Sequence, residues 1–196
     1  GTFKAVDDVS LRIPKGTFIS ILGSSGAGKS TVLRMIGGFE YPDYGTVRIA
    51  GQDVTMLPPH KRDVNTVFQD YALFPHMTVA ENVALGRADG IRVDLRSAAR
   101  EVTEAAERFG LGVRPDAIVG ELSVGEQQRV EILKALYRDA RILIMDEPTA
   151  VLTPQERDGL FEVIRQLRAD GRTILWAVSP TADGLVTAVR AFQGAS

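Results

Sequence analysis

The sequence predicts an α/β fold with a mainly parallel core sheet. Three observations carry this: short apolar runs of strand type recur along the chain, segments of helical periodicity separate them, and a glycine-rich turn joins the first clear run to the first helix. Alternation of this kind needs crossover helices on a sheet, and 196 residues suffice for one well-cored domain.

Ala5 to Ile13 (AVDDVSLRI) partly alternates apolar and polar residues, as an N-terminal strand would, and Pro14 to Gly16 is a turn. Phe18 to Leu22 is an apolar strand running directly into the glycine turn. Val32, Leu33, Met35 and Ile36 then fit one face of a helix beginning at Lys29 and stopped by Gly37-Gly38. Strands are expected at Thr46 to Ala50 and Val64 to Phe68. The middle of the chain reads as helical, with Val79 to Leu85 and then Leu95 to Phe109, whose apolar face is Ala98, Val102, Ala105, Ala106 and Phe109. Ser123 caps a helix reading GEQQRVEILKALYR, Arg141 to Met145 is an apolar strand ending in Asp146-Glu147, Thr153-Pro154 opens another helix, and Thr173 to Val178 is a strand.

Composition narrows the functional classes. A formal net charge of −2 gives no general basic field for nucleic acid or an anionic membrane face, and no apolar run is long enough to span a bilayer. The absence of cysteine excludes disulfides and thiolate chemistry. Gly1 in place of Met leads to the expectation of a fragment.

The chemistry lies in a few short stretches. Gly23, Gly28, Lys29 and Ser30 fit G-x-x-x-x-G-K-[ST] within Gly23-Ser24-Ser25-Gly26-Ala27-Gly28-Lys29-Ser30-Thr31. Glycines at this spacing turn backbone N–H groups inward around phosphates, the lysine reaches the outer phosphates, the serine hydroxyl ligates magnesium, and the helix start adds its positive end. Asp146 and Glu147 end an apolar strand, where α/β sheets place their ligands. Asp146 suits a water-linked magnesium ion, and Glu147 suits the alignment or deprotonation of an attacking water. Alone, this pair would read as an ordinary acidic turn; beside the phosphate loop it reads as its partner. Ser123, Val124, Gly125 and Glu126 open a helix with a hydroxyl cap and bare N–H groups, a second anion site or simply a well-capped surface helix.

Leu122-Ser123-Val124-Gly125-Glu126-Gln127-Gln128-Arg129 resembles the signature of the ATP-binding subunits of ABC transporters, Leu-Ser-Gly-Gly-Gln followed by Gln and Arg, with Val124 and Glu126 as departures. The resemblance covers nearly the whole chain. It implies a P-loop NTPase fold of the ABC type, with antiparallel N-terminal strands and a helical subdomain at about 70–138 within a single domain of 1–196. It implies ATP and Mg2+ as ligands, with Ser30, Gln69 and Asp146 at the metal. Gln69 corresponds to the family's mobile Q-loop glutamine. Ser123 to Glu126 would close over the ATP of a second ATP-binding subunit in a head-to-tail dimer. Transmembrane permease subunits and an extracytoplasmic solute-binding protein would complete the system, with no nucleic acid partner. The location implied is peripheral, on the cytoplasmic face of the cell membrane. Tyr71 to Val83 (YALFPHMTVAENV) looks like importers of polyamines, sulfate, iron and some sugars, whereas Val119 to Glu156 looks like importers of simple sugars and nucleosides.

Departures from the family pattern set the remaining expectations. Ser179 stands where the family carries a switch histidine that contacts the terminal phosphate, and a hydroxyl cannot carry imidazole's charge. The helix that follows that histidine is expected to be missing, with Thr181-Ala182-Asp183 leading into a strand pattern at Leu185 to Arg190. Thr153 replaces an aspartate that links paired active sites, a version shared with the sugar-importer type. The adenine-stacking aromatic is expected just before Gly1, with Phe3 either a substitute or a core residue. His60 and His76 are read as solvated or packing residues. Two readings follow: an ATP-hydrolysing motor using Glu147, Gln69 and Ser179, or a hydrolysis-impaired ATP-binding module.

Overall fold

The computed structural model describes residues 4–67, 72–85, 95–137, 140–150 and 152–179. They fall into two compact units. The first comprises residues up to 66, with 141–147 and residues from 168 onward; the second comprises 67–140 and 148–167.

The first unit is built on parallel strands. β1 (Phe18–Leu22) pairs with β6 (Thr173–Val178), which pairs with β5 (Ile142–Asp146), and β4 (Val64–Val67) completes the order β1-β6-β5-β4. β1, β6 and β5 are mutually parallel, with Leu22 opposite Val178 and Asp146 opposite Ala177. Every residue of β6 is buried, as expected of a parallel strand covered on both faces. Trp176 packs edge-on against Phe18 across the β6–β1 pair, their ring centroids 5.7 Å apart. α1 (Lys29–Gly37) lays Leu33 against Ile144, Leu175 and Ala177, with Ile19, Ile21 and Ile36 at the margin.

α1 stops where the sequence says it should. Gly38 takes a left-handed φ of 82° and Phe39 N–H returns to Arg34 O (2.9 Å). The last carbonyls are then met by one buried side chain. Arg62, 6% exposed, donates to Met35 O (2.6 Å) and Ile36 O (2.9 Å), and also to Leu57 O (2.7 Å) and Thr55 O (3.0 Å). Its charge also opposes the negative end of the helix dipole.

The antiparallel pairing lies in a short hairpin of β2 (Arg48–Ile49) and β3 (Gln52–Asp53). Ala50 and Gly51, both at positive φ (50° and 81°), form the two-residue turn, so the strand expected over Thr46 to Ala50 is reduced to Arg48–Ile49, starting two residues late and ending one early. Residues 5–13, read as strand-like, lie outside any strand. Asp8 adopts a left-handed φ of 49°, which breaks the extended path, and Val9 and Leu11 stand exposed.

The second unit is helical. α2 (Val79–Ala84), α3 (Leu95–Arg108) and α4 (Val124–Tyr137) bury Val79, Val83, Val102, Val130 and Leu133 completely. Ala98, Val102, Ala106 and Phe109 form the buried α3 face, Ala105 being half-buried. α2 is too short to hold itself, and its start is fixed from outside. Thr78 and Glu81 form a reciprocal capping box, and buried Asn82 donates to Phe74 O (3.0 Å) and Thr78 O (3.1 Å) while accepting from Phe74 N–H (2.7 Å). α5 (Pro154–Ala169) buries Leu160, Phe161, Val163, Ile164 and Leu167. Among the described residues no helix is long and apolar enough to cross a membrane.

Two stability effects follow. Arg62→Ala removes a donor from four carbonyls, of which Met35 O keeps another, Gly38 N–H at 3.3 Å, and is expected to lower unfolding free energy by about 3 kcal/mol, read from the urea midpoint. Hydrogen bonds from the Thr78 backbone and then its hydroxyl hold the Glu81 carboxyl below its ordinary pKa. A depressed carboxyl stabilises the fold above its unfolded pKa and loses that contribution as pH falls. Thr78→Ala should therefore cost about 1 kcal/mol at pH 7, with the difference from the parent shrinking below about pH 4.3 in matched urea titrations.

Candidate functional site

β1 ends at Leu22 and the chain turns at once into the loop Gly23 to Gly28. Ser24 to Ala27 are exposed, Ala27 N–H closes the turn on Ser24 O (3.1 Å), and Gly26 and Gly28 both take left-handed φ near 80°. Gly28 is irreplaceable on two counts: its φ is 81°, and a Cβ there would lie 2.3 Å from Ala5 O. It is also the N-cap of α1 and offers no side chain, and α1 has no acid in its first turn. The helical ladder begins with Val32 N–H on Gly28 O (2.9 Å), so the N–H groups of Lys29, Ser30 and Thr31 precede it. This helix start presents positive potential, and no side chain of its own first turn neutralises it.

Lys29 is 7% exposed. Its ammonium donates to Gly23 O (2.7 Å) and Ser24 O (3.0 Å), holding the loop around itself. Its third N–H remains for an incoming acceptor, with the Glu147 carboxylate 3.9 Å away as counter-charge. Glu147 follows β5 with a left-handed φ of 47°, unusual for a residue with a side chain, and its N–H is held by Ala177 O (3.0 Å). Such a conformation costs roughly 1–2 kcal/mol, and strain of this kind gathers at functional sites. Ser179, leaving β6, donates from Oγ to Glu147 Oε1 at 2.5 Å. Lys29, Glu147 and Ser179, far apart in sequence, therefore meet beyond the C-terminal ends of β1, β5 and β6.

Asp146 Oδ1 is buried and has no hydrogen-bond partner. A buried carboxylate oxygen in that state suits a cation or its bound water. Among the described residues no cluster of three or more His, Cys, Asp or Glu could hold a metal unaided. A magnesium ion here would thus need the Ser30 hydroxyl, Asp146 and oxygens of a bound phosphate, the donor set expected when metal and nucleotide bind together. Gln69, expected at the same metal, lies outside the described residues, as do Phe3, Thr181 to Asp183 and Leu185 to Arg190.

The second unit holds the other candidate stretch. Ser123 and Glu126 form a capping box at α4: Ser123 N–H donates to Glu126 Oε2 (2.8 Å) and Glu126 N–H to Ser123 Oγ (3.3 Å). Val124 is exposed and Gly125 buried. Two residues here were not singled out from the sequence. Buried Gln128 donates to Pro148 O (2.7 Å), fixing the residue that follows Glu147. Glu156 accepts from both Ser123 and Gly125. The T-x-x-E pattern of Thr153 to Glu156 could have shown Glu156 as a cap, but not these further partners. His60 and His76 are both exposed. A depression of about 400 Å³ against β2–β3, lined by Asp53, Thr55 and Met56 among others, contains none of the expected site residues.

Comparison with known proteins places the chain in a family. The chain belongs to the ABC transporter family, whose sequence profile matches residues 6–150. It is 43% identical over 180 residues to the nucleoside import ATP-binding protein NupA of Lactococcus lactis subsp. cremoris (strain MG1363), covering 89% of this chain and 36% of that protein. It is equally 43% identical, over 192 residues, to the spermidine/putrescine import ATP-binding protein PotA of Thermobifida fusca (strain YX), covering 96% of this chain and 49% of that protein. The chain thus spans half or less of the length of these curated relatives. A dimeric ATP-binding cassette in a post-hydrolysis state, bound to ADP and Pi, superposes with a TM-score of 0.77 at 28% identity, covering 93% of this chain and 83% of that one. The fold is therefore that of the ABC ATP-binding cassettes. Similarity at one level to a nucleoside-type and a polyamine-type relative matches the mixed character of the sequence.

Gly28→Ala should lower stability by at least ~2 kcal/mol in chemical denaturation, since left-handed strain and a backbone clash act together.

Proposed function

We propose that the chain binds and hydrolyses ATP as the nucleotide-binding domain of an ABC importer. The observation that carries this reading is the convergence of Lys29, Glu147 and Ser179 at the mouth of the glycine loop. Lys29 and the first N–H groups of α1 bind the outer phosphates of ATP. Ser30 and Asp146, with Gln69, would hold a magnesium ion, which when bound would supply charge neutralisation at the phosphates. Glu147 orients the attacking water and takes its proton. Ser179 holds the Glu147 carboxylate in place by its hydrogen bond, the service left to a hydroxyl where the imidazole is absent.

The domain is read as one cassette over 1–196, with a helical subdomain at about 70–138. Its working form is a head-to-tail dimer in which Ser123, Val124, Gly125 and Glu126 of one copy face the ATP of the other; the dimeric cassette bound to ADP and Pi supports pairing of two such domains. Transmembrane permease subunits would receive the motion at the cytoplasmic face of the membrane, and a solute-binding protein would deliver the cargo. The import ATP-binding relatives support this assignment.

Steady-state phosphate release tests the reading. Glu147→Gln should lower kcat by about 100-fold or more while ATP still binds, because general-base catalysis contributes on that scale. Lys29→Ala should raise the calorimetric Kd for ATP steeply. Ser179→Ala should lower kcat about tenfold with KM little changed, as removal of a positioning contact does. Undiminished turnover in Glu147→Gln would overturn the assignment.

A further inference from the structure

The start of α4 already carries an anion supplied by the chain itself. Ser123 Oγ donates to Glu156 Oε1 (3.3 Å), and Gly125 N–H donates to the same oxygen (3.1 Å). The other oxygen, Oε2, accepts from Thr153 N–H (3.0 Å) and Thr153 Oγ1 (2.9 Å) at the start of α5. One carboxylate therefore clips two helix starts together across 33 residues of sequence. Hydrogen bonds from the Thr153 backbone and hydroxyl, then from Gly125 and Ser123, hold its pKa below the ordinary value, so it is ionised at neutral pH.

A carboxylate and a terminal phosphate are rival ligands for such groups, since both are anions accepting from hydroxyl and N–H at a helix start. The rest of this turn is equally engaged. Ser123 N–H and Glu126 N–H are both used within the Ser123–Glu126 box, and the Glu126 carboxylate adds a second negative charge. Nor is there space beside the clip: a Cβ built on Gly125 would lie 2.5 Å from Glu156 Oε1, so the carboxylate sits directly on the Gly125 backbone. α1 offers the contrast, with no acid in its first turn and no side-chain cap.

We propose that Glu156 is an internal gate on the signature helix, its carboxylate holding Ser123 Oγ and Gly125 N–H until the terminal phosphate of ATP bound to a second copy of the chain displaces it. This rests on the reading of Ser123 to Glu126 as the second face of the nucleotide site. The division of the clip between two oxygens makes release local. Oε2 can stay with Thr153 and keep α5 capped while Oε1 leaves α4. The gate sets how much ATP is needed to join two copies and leaves ATP binding in the glycine loop of one copy unchanged.

The test uses the full chain carrying Glu147→Gln, so that ATP is retained. Dimer formation is followed by sedimentation velocity across ATP concentrations, with ATP affinity of the monomer measured calorimetrically at protein concentrations below dimerisation. Adding Glu156→Gln, which keeps the shape and removes the charge, should lower the ATP midpoint of dimerisation about tenfold, a typical coupling between sites, with monomer affinity unchanged. Glu156→Asp, one methylene too short to span both helix starts, should shift the midpoint in the same direction and controls for any folding defect of the first variant. Midpoints unmoved or raised in both variants, with Ser123→Ala still weakening dimerisation, would overturn the gate and leave the second-face reading standing. ATP-bound monomer at every ATP concentration in the parent and in all variants would overturn both.

Discussion

The parallel register of β1, β6 and β5 is the constraint on which the site depends. Leu22 lies opposite Val178, and Asp146 opposite Ala177, so the three strands end together. The residues just beyond those ends are Gly23, Ser179 and Glu147. No local signal could bring them together, and a slip of one residue in β5 or β6 would carry the carboxylate or the hydroxyl away from Lys29 and turn alternate side chains to the other face. The slip is prevented by burial. Leu143, Ile144 and Met145 of β5 and all six residues of β6 are buried, and most are large apolar side chains matched to their present neighbours.

What the sheet holds in place is costly to hold. Lys29 is a buried cation, Asp146 keeps a buried oxygen without a partner, and Glu147 sits in a left-handed conformation. Each feature costs on the order of 1–3 kcal/mol in isolation. They persist because the surroundings over-determine them: Lys29 has two loop carbonyls and a counter-ion, Glu147 N–H is tied to Ala177 O, and the far end of α1 is held by Arg62. Destabilised groups at the strand ends and surplus fixation around them is the distribution expected of a site organised before its ligand arrives.

The parts legible in the sequence were those whose cause is local. The limits of β1 and β6, the start of α1 at Lys29, its stop at Gly38, and the α3 face through Ala98, Val102, Ala106 and Phe109 all follow from periodicity or a terminal residue. The glycine loop and the carboxylate pair were legible because their chemistry is written in consecutive residues. Residues 5–13 misled because partial alternation cannot show whether a partner strand exists. Ala50 was placed in a strand because the turn it forms with Gly51 depends on its positive φ, which alanine rarely adopts. Arg62 on Met35 and Glu156 on Ser123 are long-range pairings of polar side chains with backbone or hydroxyl groups, and they leave no periodic trace.

The two helix starts that the sequence marked as anion sites differ in electrostatic state. α1 opens on a glycine without side-chain cap or acid in its first turn, so no carboxylate sits on its N–H groups, and Glu147, the counter-charge of Lys29, stands 3.9 Å from the ammonium. α4 opens on Ser123 with Glu126 in its first turn and Glu156 seated on Gly125. An anion arriving from solution meets attraction at the first and competition at the second. With Glu156 acting as the proposed gate, this asymmetry orders events: the glycine loop fills in a single copy, and only a phosphate fixed there and presented by that copy, its approach entropy already removed, competes well enough to displace Glu156. Free phosphate, lacking that advantage, would leave the clip closed.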